Sequence, residues 1–144
     1  MVYIDADGCP VTHIAEDICR QAGVSITFVC DTAHYFESDY AEVINVDKGA
    51  DSADMKIFSL SKPGDIIVTQ DYGVATMCIA KKCKCISQDG MIYNEKNIDS
   101  LLMTRYITKK IRNSGGKLKG PSKRKNEQDD RFREAFKKII GEKR

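Results

Sequence analysis

A chain of 144 residues with 42% hydrophobic and 31% charged side chains suits one domain that buries around two thirds of its unfolded surface, with no room for a second. The formal net charge of +2 hides a division: residues 1–100 hold 16 Asp and Glu against 8 Lys and Arg, and residues 101–144 hold 5 against 15. No apolar run approaches the roughly 20 residues of a membrane span, and Met1-Val2-Tyr3-Ile4-Asp5 offers no basic stretch leading into a long apolar one, so a cytoplasmic protein whose six cysteines stay reduced is expected.

Short apolar runs alternate with stretches of helical period. Val2 to Ile4 reads as a strand and residues 10–22 as a helix, with Val11, Ile14, Ala15, Ile18 and Cys19 on one stripe, Pro10 in the first turn and Gly23 at the stop. Residues 26–30 and 43–46 are the second and third strands. A helix over 51–61 must end before Pro63-Gly64. Residues 66–69 form a fourth strand, 74–80 a helix and 83–87 a short fifth strand. An amphipathic helix over 98–111 turns Leu101, Leu102, Tyr106, Ile107 and Ile111 inward, and Ser114-Gly115-Gly116 stops it. A basic loop over 114–127 leads to a C-terminal helix at about 128–141, and Tyr106, Phe132 and Phe136 fall at helical spacing as core residues. The β-α alternation predicts a single α/β domain over 1–144, an open, mainly parallel sheet with helices on both faces.

Carboxylates recur where the apolar runs stop. Asp5 and Asp7 follow the first strand, Asp71 follows the fourth, and Asp54 reaches the same edge from the first turn of the third segment's helix. In open α/β sheets the working site lies beyond the carboxyl ends of the strands. Like charges gathered there call for a cation, and oxygen ligands alone suit Mg²⁺ or Mn²⁺ completed by waters and phosphate oxygens. Such an ion can orient and ionise a water against a phosphodiester, with no side-chain nucleophile. Each acid also has an ordinary role open to it: Asp51 as a helix N-cap, Asp54 as the second half of a capping box, Asp71 as the cap of the next helix, and Asp5-Ala6-Asp7-Gly8 as a plain turn. Thr69 and Ser87 stand at strand ends where a hydroxyl can orient a ligand, and Asp89 is either a turn residue or a further carboxylate.

Asp5-Ala6-Asp7-Gly8-Cys9-Pro10-Val11, Gly49-Ala50-Asp51-Ser52-Ala53-Asp54, Gly64-Asp65-Ile66-Ile67-Val68-Thr69-Gln70-Asp71, Asn97-Ile98 with Leu101 and Arg105, and Gly120-Pro121 together resemble the bacterial YaiI/YqxD-like family of uncharacterised proteins. That family looks related to the PIN-domain nucleases. The resemblance implies a three-layer PIN-like fold and an acidic Mg²⁺ or Mn²⁺ site for RNA or DNA cleavage. By position, Asp5 resembles the PIN acid after the first strand, Asp54 the acid on the central helix, where Glu is commoner, and Asp71 the acid of the Thr-x-Asp motif. Asp7 belongs to the narrower family's own motif.

The expectation is a divalent-metal-dependent nuclease acting on RNA, with Asp5, Asp7, Asp54 and Asp71 as ligands. Arg105, Lys109 and Arg112 would hold substrate, and Lys117, Lys119, Lys123, Arg124 and Lys125 would close over its backbone. A basic tail docked on its own acidic body is the alternative for these cations. A haloacid-dehalogenase-type phosphatase shares Asp-x-Asp after a first strand, but Cys9 stands where that motif has Thr and Asp65 precedes its strand. A non-catalytic RNA-binding protein is the other rival.

Overall fold

The structure, a computed structural model, describes residues 1–31, 37–47, 52–113, 115 and 124–143. In chain order the elements are β1 (Val2–Asp5), α1 (Thr12–Ala22), β2 (Ile26–Asp31), β3 (Glu42–Val46), α2 (Ser52–Leu60), β4 (Ile66–Val68), α3 (Tyr72–Ala80), β5 (Lys84–Ile86), α4 (Glu95–Asn113) and α5 (Asn126–Lys143). The strands form one sheet in the order β3-β2-β1-β4-β5, and every neighbouring pair is parallel. An isolated antiparallel bridge joins Ile86 to Ile92 beyond β5.

Side-chain alternation along each strand sorts the core into two layers. Val2, Ile4, Phe28, Ile66, Val68 and Ile86 meet Ala15 and Ile18 of α1 and Phe132, Phe136, Ile139 and Ile140 of α5. Tyr3, Val29, Ile67 and Cys85 turn the other way, onto Ile57 of α2, Val74, Ala75 and Cys78 of α3 and Ile98 of α4. The result is the expected three-layer α/β architecture. Five of the six cysteines are buried within it, and Cys9 is partly exposed.

Helix ends follow local chemistry. Gly23 takes φ 69° and closes α1, its amide donating to Arg20 O at 3.3 Å. Pro10 precedes the first helical residue, Thr12, by two positions, so α1 starts later than its hydrophobic stripe suggests. At α4 the start comes earlier than expected, because Asn94 and Asn97 exchange backbone and side-chain hydrogen bonds at 2.8 Å each, a reciprocal cap that begins the helix at Glu95. Asn126 and Glu127, expected in the basic loop, already belong to α5.

The expected inward face of α4 is corrected. Leu102, Tyr106, Ile107 and Ile111 are 36, 56, 50 and 38% exposed, and only Ile98 is buried. The 19-residue α4 is about twice the length of the nine-residue α3 on which it packs, so among the described residues its later turns find no second layer to cover them. Phe132 and Phe136, in contrast, are fully buried, their rings stacked with centroids 5.1 Å apart.

The amino end of α5 is tied to the loop after β5. The Arg124 guanidinium donates to Asp89 Oδ1 at 2.7 Å, to Asp129 Oδ1 at 2.8 Å and to the Gln88 carbonyl at 2.7 Å. Gly90 permits this contact: it has φ 87°, and a Cβ there would stand 2.6 Å from the Arg131 carbonyl oxygen.

Candidate functional site

Asp5 ends β1, and Thr69 follows the last residue of β4, the neighbouring strand. From β1 the chain builds one side of the sheet through β2 and β3, then returns to build the other through β4 and β5. The two residues therefore flank the switch point, where such sheets open a crevice at their carboxyl edge. Asp5 shares the parity of Tyr3, which faces the α2–α3–α4 layer, and this turns its carboxylate toward the starts of α2 and α3.

A short relay fixes that carboxylate. The Thr69 hydroxyl donates to Asp5 Oδ2 at 3.4 Å and accepts from the Asp71 amide at 3.0 Å, while the buried Tyr93 hydroxyl holds the Thr69 carbonyl at 3.1 Å. Asp71 turns back on its own helix as the N-cap of α3, its Oδ1 accepting from the Gly73 and Val74 amides at 2.8 and 3.2 Å. Asp7 Oδ2 accepts from the Asp31 amide at the end of β2, 3.0 Å away. Gly8, at φ 68°, lets the chain reverse so that the Cys9 amide reaches Ala6 O at 3.1 Å.

These acids act on one another. The Asp5 carboxyl is pushed up to about 6, first by burial, then by the negative charges of Asp54 and Asp7, with Asp71 adding a smaller push and the Thr69 hydrogen bond opposing them. Side chains from β1, its following turn, the first turn of α2 and the cap of α3 thus form one electrostatic unit. Among the described residues, however, no group of three His, Cys, Asp or Glu side chains stands ready to enclose an ion. Burial raises the Cys9 thiol, keeping it protonated beside the acids.

Two cavities adjoin the acids. One, of about 260 Å³, is lined by Asp5, Asp7, Cys9, Thr69, Gln70 and Gln88. The other, of about 520 Å³, lies where α2, α3 and α4 meet and includes Asp54, Met55, Asp71, Met77, Leu102 and Arg105. Met55, Met77, Gln70 and Gln88 escaped the sequence reading. Methionines at helical spacing look like core, and the two glutamines carry no signal before the loops meet, where the Gln88 amide donates to Gln70 Oε1 at 2.8 Å.

Other candidate residues sit in different surroundings. The Ser87 hydroxyl accepts from the Asp89 and Met91 amides at 3.2 and 3.1 Å, holding the turn after β5, and Asp89 itself pairs with Arg124. Arg124 therefore docks the tail on the body. Arg105, Lys109 and Arg112 are exposed along α4, and Lys125 is exposed ahead of α5, where its amide donates to Gln128 Oε1 at 2.7 Å. Asp51, Lys117, Lys119 and Lys123 lie outside the described residues.

The cap at Asp71 separates geometry from charge. Asp71→Asn keeps an acceptor for the α3 amides and is expected to hold the stability of the metal-free protein within about 0.5 kcal/mol, whereas Asp71→Ala is expected to cost about 1 kcal/mol. Denaturant titrations of both variants in EDTA would measure the difference; equal losses would remove the cap from the account.

Comparison with known proteins gives the chain's relatives. A family model described as an uncharacterised bacterial family, YaiI/YqxD, matches residues 3–142. A UPF0178 protein of Clostridium acetobutylicum is 43% identical over 141 residues, covering 96% of this chain and 95% of the relative. One from Clostridium kluyveri is 44% identical over 139 residues, covering 96 and 91%, and one from Exiguobacterium sibiricum is 42% identical over 142, covering 99 and 97%. No solved structure matches. Among the described residues no helix is long and apolar enough to cross a membrane.

Proposed function

The chain belongs to the YaiI/YqxD family, and from its acidic crevice we propose that it is a divalent-metal-dependent nuclease that hydrolyses phosphodiester bonds in RNA. The observation that carries this reading is the convergence of Asp5, Asp7, Asp54 and Asp71 at the switch point of the sheet, close enough for the other three charges to raise the Asp5 pKa.

The donor set fits Mg²⁺ or Mn²⁺. Carboxylates and the Thr69 hydroxyl are hard oxygen donors, and such ions are commonly held by one or two carboxylates with waters and substrate phosphates filling the other positions. That mode agrees with acids that converge without forming a three-residue cage among the described residues. When bound, the ion would polarise a phosphodiester oxygen and lower the pKa of its water.

The protein's own residues supply placement. Thr69 orients Asp5 Oδ2, and the Asp71 amide orients Thr69, so the end of β4 fixes the carboxylate of β1. Asp54, in the first turn of α2, lines the larger cavity with Asp71, and its charge reaches Asp5. Arg105, exposed on α4 beside Asp54 and Asp71, attracts a phosphate that the four acids alone would repel. Asp65, the acid that a dehalogenase-type phosphatase would need nearby, lies at the amino edge of the sheet, where it meets the Met1 amine at 3.6 Å.

The test is incubation of the full chain with single-stranded RNA and DNA oligonucleotides in Mn²⁺ and in EDTA. RNA cleavage that stops in EDTA is expected. Binding without cleavage would replace the reading with a non-catalytic RNA-binding protein, and an aspartyl-phosphate trapped on Asp5 would replace it with a phosphatase.

A further inference from the structure

The 520 Å³ cavity between α2, α3 and α4 joins two unlike chemistries. Its lining holds the acids Asp54 and Asp71 and the cation Arg105, together with the thioethers of Met55 and Met77 and the isobutyl group of Leu102. We propose that this cavity seats one nucleotide of the strand, with its phosphate between Arg105 and the acidic crevice and its base laid against Met55, Met77 and Leu102. The phosphate end rests on the metal-dependent reading; the base end stands on the apolar wall alone.

Size and exposure favour this occupant. Small-molecule sites occupy about 300–1,000 Å³ and are mostly apolar with few convergent polar groups, and the present cavity falls in that range at about 520 Å³. Met55 and Leu102 remain 55 and 36% exposed at its mouth, an arrangement that leaves apolar surface in water until a flat ring covers it. Methionine sulfur makes favourable contacts with aromatic faces and adapts to rings of different outline. The one neutral hydroxyl on the wall among the described residues, Thr76, donates to the Tyr72 carbonyl at 2.7 Å. Its proton is therefore committed. A wall of this kind recognises a base by its face and not by its hydrogen-bonding edge, so it accepts every base.

The experiment is calorimetric titration of the full chain with adenosine 5′-monophosphate and with ribose 5-phosphate, each in Mg²⁺ and in EDTA. Wild type is expected to bind the nucleotide in Mg²⁺ about tenfold more tightly than the sugar phosphate, since thioether contacts with an aromatic ring and the apolar surface it covers contribute on that order. In the Met55→Ser/Leu102→Ser double variant the ratio should fall toward one with ribose 5-phosphate affinity retained; both side chains are exposed, so folding is little affected. Arg105→Gln should weaken both ligands about tenfold and keep their ratio. A ratio near one in wild type, or no nucleotide binding at roughly millimolar concentration, overturns the base site. Sugar-phosphate binding that needs Mg²⁺ with a ratio of one would leave the nuclease reading standing and remove the subsite. A tenfold ratio with both affinities themselves unchanged in EDTA would do the reverse.

Discussion

Asp5→Asn is expected to stabilise the metal-free protein by about 2 kcal/mol at neutral pH while lowering Mn²⁺-dependent cleavage at least about a hundredfold. The stabilisation follows from the shift of the Asp5 carboxyl from its ordinary 3.8 up to about 6. A raised folded-state pKa means that the folded protein holds this proton more tightly than the unfolded chain does. The charged form is therefore a destabilising load, absent below about pH 4, growing as pH rises to about 6, and complete above it. Two pKa units correspond to roughly 3 kcal/mol, and the solvent that still reaches Asp5 reduces this to about 2. Asparagine keeps an acceptor for the Thr69 hydroxyl and removes the charge that Asp54, Asp7 and Asp71 repel.

The opposite signs of the two effects distinguish a working acidic site from a structural one. A carboxylate present for stability would lose stability and activity together. Denaturation in EDTA at pH 5 and pH 7.5 is the measurement: wild type should become less stable relative to Asp5→Asn as pH rises, and Mn²⁺ should recover the loss in wild type alone. Parallel stability curves for the two proteins, or an equal response to Mn²⁺, would sink the account.

Strand-end positions made much of this site legible before any geometry. Asp5 and Asp71 follow short apolar runs and Thr69 ends one, so if those runs are parallel strands the three share the sheet's carboxyl edge; that β1 and β4 are neighbours, which brings them together, is given by the sheet order. Side-chain direction was less legible. Asp71 spends one oxygen on the α3 amides and Asp7 directs one to the Asp31 amide, and such backbone contacts depend on how turns close. For α4, hydrophobic period identified the helix but could not say whether another layer covers its stripe, and Tyr106 and Ile107 stand in solvent. Arg124 looked like one more cation of the loop because its partners, Asp89 and Gln88, are 35 and 36 residues away in sequence. The reciprocal Asn94–Asn97 cap was readable in principle, since an amide side chain three residues ahead of another is a local signal.

Phe136→Ala is expected to lower stability by about 4 kcal/mol, the cost of emptying a fully buried aromatic site, and to do so in a single transition. Phe136 is completely buried and stacks on Phe132, and both join α5 to α1 and to Val2, Ile4 and Phe28 of the sheet. With Arg124 holding Asp89 at one end of α5 and Lys84 reaching Glu142 at 3.2 Å near the other, the helix is part of the sheet's covering layer. If residues 1–144 fold as one unit, the cavity left by the lost ring weakens strand packing as much as helix docking. Urea unfolding followed by far-UV circular dichroism and by tyrosine fluorescence, which six tyrosines and no tryptophan make suitable, should then give coincident curves for both proteins, with the variant's midpoint shifted down. An α5 that is only an appended arm would behave differently. It would melt first in a separate step, cost the body less than about 1 kcal/mol, and leave the Mn²⁺ response of the acidic crevice in place after the helix had gone.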